Sequence, residues 1–82
     1  MKRAVALRYR EEDRAPVVVA KGRDELAYRM LHEAKRSGIP VVAEPELVLL
    51  LEQLKTGREI PDNLYRAVAD VFVFLIQNGL RR

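Results

Sequence analysis

Residues 15–22, Ala-Pro-Val-Val-Val-Ala-Lys-Gly, constrain the fold more than any other part of this chain. A proline opens the stretch, three consecutive valines fill it and a glycine stands at its end. A short unbroken run of β-branched residues is the pattern of a strand covered on both faces, hence central in a sheet. A helix-period segment follows directly, and then a second apolar run, Ile39-Pro40-Val41-Val42-Ala43. A buried strand, a helix and another buried strand make a βαβ unit with a right-handed crossover. Upstream, Val5, Leu7 and Tyr9 alternate with Ala4, Ala6, Arg8 and Arg10. That alternation predicts a strand with one face on the core and the other basic and wetter. The charged link Glu11-Glu12-Asp13-Arg14 is of hairpin length, so this strand pairs antiparallel with the central one.

Helices account for the rest. Asp24 and Glu25 suit the positive end of a helix whose stripe is Leu26, Ala27, Met30, Leu31 and Ala34, closed by Ser37-Gly38. Glu44-Pro45-Glu46 starts a second, leucine-rich helix with Thr56-Gly57 as its stop. Asp62 or Asn63 opens a third that runs to about Asn78, with Gly79 as its terminal glycine and a frayed Leu80-Arg81-Arg82 end. The expected fold is one α/β domain over residues 1–82. It has a small three-stranded mixed sheet in the order β-β-α-β-α-α, with the helices packed on it. The third helix carries more apolar residues than one small sheet needs. Either it is buried nearly all round, or Ala69, Phe72 and Val73 lie at a partner surface.

The chemistry-bearing residues are few. The 82-residue chain has no cysteine, which excludes disulfides, thiolate metal sites and cysteine nucleophiles. Its one histidine, His32, has no second imidazole or placed acid to form a triad or a metal site. Lys21-Gly22 before a helix lacks the multi-glycine spacing of a phosphate loop. No enzyme, metal or cofactor is expected. The longest apolar run, Val71 to Ile76, is far too short to span a bilayer. The net charge of +3 is modest. A nucleic-acid binder using Arg3, Arg8 and Arg10 is the alternative class, though aromatics for base stacking are nearly absent. The residues alone describe a small α/β binding module.

Four segments in order resemble the cytoplasmic domain of the FlhB/YscU family, the substrate-specificity switch of flagellar and type III secretion export. They are Val5-Ala6-Leu7-Arg8-Tyr9; Ala15 to Gly22; Gly38-Ile39-Pro40-Val41-Val42-Ala43-Glu44-Pro45; and Gly57-Arg58-Glu59-Ile60-Pro61-Asp62-Asn63-Leu64-Tyr65-Arg66-Ala67-Val68-Ala69. In that family the domain follows transmembrane helices and cuts itself between Asn and Pro of an Asn-Pro-Thr-His loop. Counted back from Val5, the Thr-His falls on Met1-Lys2 and the Asn-Pro before residue 1. The resemblance therefore implies the part downstream of the cut, as a free-standing, non-cleaving protein. It implies a cytoplasmic docking module, peripheral at the export gate, that binds export substrates, chaperones or gate components. Ala15, Pro16, Ala69 and Phe72 would form the docking patch. It also implies an upstream strand beside the sheet. A sheet lacking that strand has an open edge, to be filled by the upstream half of a full-length switch protein or by a homodimer.

Overall fold

A computed structural model of the chain describes residues 1–78. Gly79 and the Leu80-Arg81-Arg82 end, for which a terminal glycine and fraying were expected, lie outside the described residues. Two strands, β1 (Arg3–Arg8) and β2 (Val17–Arg23), are followed by α1 (Asp24–Arg36), α2 (Pro45–Glu52) and α3 (Tyr65–Gln77). A single 3₁₀ turn, Asp62–Leu64, leads into α3.

The strands form the antiparallel hairpin that the alternation predicts. The register runs from Arg3↔Arg23 to Ala6↔Ala20 and then skips to Leu7↔Val18. Val19 is the residue skipped, so it is the extra residue of a β-bulge. The bulge breaks the two-residue alternation: Val17 and Val18 are both buried, while Val19 is 40% exposed. Below the bulge the two faces are distinct. Ala4 pairs with Gly22, and the side of Gly22 where a Cβ would stand looks onto Leu26 and Met30, so α1 covers this face. Val5 and Leu7 turn the other way, onto a core of Ala15, Val18, Leu51, Ile60, Leu64 and Val68 with Leu47, Leu54 and Phe72 around it. The sheet is thus a thin middle layer. The face of β1 expected to be basic and wet is covered by α1 at Ala4, which is 8% exposed. Val18, Ile60 and Val68 are the largest fully enclosed side chains, each stabilising the fold by about 1.5–3 kcal/mol.

The expected third strand is absent, and with it the βαβ crossover. Ile39–Ala43 is neither helix nor strand, and Ile39 and Val41 are 57% and 54% exposed. Two local reasons stand out. The Ile39 N–H is used on Ala34 O at 2.8 Å, closing α1 through Gly38 at φ +73°, and Pro40 has no N–H to give. The far edge of β2 is meanwhile taken by residues 57–60. Val18 donates to Arg58 O at 3.0 Å, Gly57 to Val18 O at 2.7 Å, and Ile60 to Pro16 O at 2.9 Å. A single antiparallel bridge, Val17↔Glu59, results. Hence β2 is central, but its second neighbour comes from a different part of the chain than the sequence pattern suggests.

Two boundaries also moved. Gly22 does not stop β2, which continues to Arg23. Helix α2 ends at Glu52 rather than near Thr56, because Lys21 Nζ caps it, donating to Glu52 O at 2.8 Å and Leu54 O at 2.5 Å. Gly57, at φ +92°, instead makes the turn that lays residues 57–60 along β2.

Candidate functional site

Helix α3 has two apolar faces. Leu64, just before it, and Val68, Val71 and Leu75 recur at helical spacing and face the core, with Val68 fully buried, Leu64 6% exposed and Val71 and Leu75 half-buried. Tyr65, Ala69, Phe72, Val73 and Ile76 follow the same period, one residue further round, and form a second stripe. Tyr65, Val73 and Ile76 are 42%, 49% and 51% exposed, and Ala69 is exposed as well. Phe72 lies on the border between the faces: it is half-buried and packs against the core. Its ring also meets Tyr9 of the β1–β2 connection, with centroids 5.9 Å apart and planes tilted by 42°. Such a tilted aromatic pair fixes both rings and extends the stripe towards the hairpin.

The four residues of the expected patch are placed unequally. Ala69 is exposed and Phe72 half-exposed on the second stripe, Pro16 is half-buried at the entry to β2, and Ala15 is 2% exposed within the core. Ala15 and Phe72 meet the same buried cluster, which joins the start of β2 to α3. Ala15 therefore supports the surface from beneath and offers no side chain to a partner. Val73 belongs to the expected partner surface, whereas Tyr65, Ile76 and Tyr9 are additions the structure makes to it. Tyr65 and Ile76 were readable from the i, i+4, i+7, i+11 spacing beginning at Tyr65. Tyr9 was not, because its meeting with Phe72 is a tertiary contact.

The basic residues do not form a free face. Arg3 lies 2.8 Å from Glu52, Arg8 3.4 Å from Asp13, and Arg10 3.4 Å from Glu12 and 3.5 Å from Asp13. Arg23 also bonds Glu52, and that bond chiefly holds the Glu52 carboxyl below its ordinary range, with the charges of Arg23 and Arg3 adding to it. Asp13 is likewise lowered, first by the Arg10 backbone N–H at 2.8 Å and then by the Arg10 and Arg8 side chains. His32 is exposed on α1. Among the described residues, no three acidic or imidazole side chains are grouped as a metal site would need, and no helix is long and apolar enough to cross a membrane.

Residues 1–75 match the sequence profile of the FlhB HrpN YscU SpaS family. The chain belongs to this family. The uncharacterized protein YlqH of Bacillus subtilis is 40% identical over 76 residues, which are 92% of this chain and 82% of that protein. The flagellar biosynthetic protein FlhB of Aquifex aeolicus is 41% identical over 75 residues, 89% of this chain but 21% of that protein. The chain thus spans most of one relative and about a fifth of the other. The crystal structure of the PscU C-terminal domain superposes with a TM-score of 0.85 at 36% identity, covering 90% of this chain and 96% of that one. The cytoplasmic domain of FlhB from Shewanella putrefaciens superposes at 0.80 with 31% identity, covering 98% of this chain and 71% of that one. The fold is that of the C-terminal cytoplasmic domain of flagellar and type III export switch proteins.

Proposed function

We propose that this domain is a non-catalytic docking module of the flagellar or type III protein export apparatus, working on the cytoplasmic side of the export gate. Its partners are export substrates, their chaperones or gate proteins. The observation that carries the reading is the second stripe of α3: Tyr65, Ala69, Phe72, Val73 and Ile76 stay apolar on a helix whose other face already closes the core. Ala15 belongs to the same region through the cluster that Phe72 joins, and Pro16 follows it in the chain. A helix face of this width suits a short amphipathic segment laid along it, with Phe72 as the anchor. A segment of a full-length switch protein is a further partner. Nothing favours nucleic acid as the partner, because Arg3, Arg8 and Arg10 are each held by a carboxylate.

The test is titration of the domain and its Val73→Asp variant with export substrates. Val73 is 49% exposed, so the variant keeps its circular dichroism spectrum, whereas substrate affinity falls at least about tenfold. Unchanged affinity rejects the α3 stripe.

A further inference from the structure

The exposed stripe of α3 reads the same from either end. Tyr65, Ala69, Phe72 and Ile76 are spaced four, three and four residues apart, so the stripe is symmetric about a point between Asp70 and Val71. Two copies of α3 laid antiparallel about that point set Tyr65 of one against Ile76 of the other, and Ala69 of one against Phe72 of the other. A small residue opposite a large one lets helix axes come within the usual 8–10 Å. Arg66 and Asp70 stand off the stripe, so this contact buries no charge. The two ends of the helix also differ in charge. Asp62, one turn before Tyr65, is exposed and has no ion-pair partner among the described residues. Beyond the other end the sequence runs Gly79-Leu80-Arg81-Arg82, and no acid follows Asp70. To meet their own Asp62, these arginines would have to turn back along the whole of α3, about 20 Å, with only four residues after Asn78. In the antiparallel pair they need no turn, because the end of each chain runs on towards Asp62 of the other.

We propose that the α3 stripe is the contact of a two-fold homodimer, in which α3 packs antiparallel on α3 of a second copy and the Arg81-Arg82 end of each chain meets Asp62 of the other. The occupant is fixed by self-complementarity in both shape and charge: the stripe matches its own reverse, and the basic end matches the acidic one. A helix about 20 Å long and about 10 Å across covers less than the roughly 800 Å² per partner of a standard interface. The dimer is therefore weak and reversible. It hides the surface that the docking reading gives to export segments, so a docked segment has to displace the second copy. The inference does not rest on that reading, because the spacing of the stripe stands whatever else binds there.

The test is sedimentation equilibrium of the intact chain from about 10 μM to about 1 mM, with amide chemical shifts followed over the same range. A reversible monomer–dimer equilibrium is expected, with concentration-dependent shifts at Tyr65, Ala69, Phe72 and Ile76. Asp62→Arg sets like charges against each other at both ends of the pair, and so does the double change Arg81→Asp with Arg82→Asp. Each variant keeps the circular dichroism spectrum of the parent and dimerises at least about fivefold more weakly. Mixed in equal amounts, the two variants restore opposite charges at both ends and associate at least as tightly as the parent. In a parallel pair, neither change alone would weaken the contact. A chain that stays monomeric at about 1 mM overturns the proposal and leaves the docking reading standing. A dimer that neither charge change weakens overturns it, as does a mixture of the two variants that fails to associate. Concentration-dependent shifts confined to β1 or α1 overturn it as well, because a different face then makes the dimer.

Discussion

Gly22 sits where a β-strand residue would normally carry a side chain, and the space for one is already filled. A Cβ at this position would stand 2.6 Å from Leu26 Cγ and 3.0 Å from Met30 Sδ, so α1 rests directly on the β2 backbone. Gly22→Ala forces α1 away from the sheet, and a loss of about 1–3 kcal/mol is expected in denaturant unfolding. Glu52 works through charge. Its carboxyl is held low by Arg23 and Arg3, from β2 and the start of β1, so it ties the end of α2 to both strands. A group whose folded pKa is depressed stabilises the protein above its unfolded value, near 4.3 for glutamate, and loses that contribution as pH falls through the folded value. Asp13 acts in the same direction. Stability should therefore decline below about pH 4.5, and Glu52→Gln should flatten that acid limb while lowering stability at neutral pH. An acid limb as steep in Glu52→Gln as in the parent would show that Glu52 carries no such linkage.

Among the elements, α1 was legible from end to end because its signals are local: acids at Asp24 and Glu25, one apolar stripe, then Ser37-Gly38. The hairpin was legible for the same reason. The third strand was misread because an apolar run of five residues looks alike whether it is buried in a sheet or crosses open surface. What decided its fate lies elsewhere in the chain: Gly57 turns residues 57–60 onto β2, and the Ile39 N–H closes α1. The end of α2 was missed because Lys21, some thirty positions away in sequence, supplies the cap. The candidate site was half legible. Surplus apolar residues on α3 showed that a second face exists, but nothing in an alanine's identity tells that Ala15 is enclosed while Ala69 is open. Val41 offers the decisive check on the sheet. Because Val41 is 54% exposed, Val41→Asp should cost less than about 1 kcal/mol in urea unfolding; a loss of 3 kcal/mol or more, the cost of an unpaired charge in a core, would restore the third strand.

At the scale of the whole molecule, family membership and fold agree on an export-switch domain, and the physical reading adds a division of labour within it. One face of α3 closes the core through Val68, the other remains apolar in water, and Phe72 with Tyr9 marks the border. For a domain this small, leaving Tyr65, Val73 and Ile76 half in solvent forgoes burial that the fold could have used, which is the behaviour expected of a surface kept for a partner. The most direct measurement is an amide chemical-shift map of the isotope-labelled domain titrated with an export substrate. The account predicts perturbations concentrated on Pro16, Tyr65, Ala69, Phe72, Val73 and Ile76, and their loss in Val73→Asp. Perturbations confined to α1 and α2, with those residues unmoved and the variant binding like the parent, would contradict it.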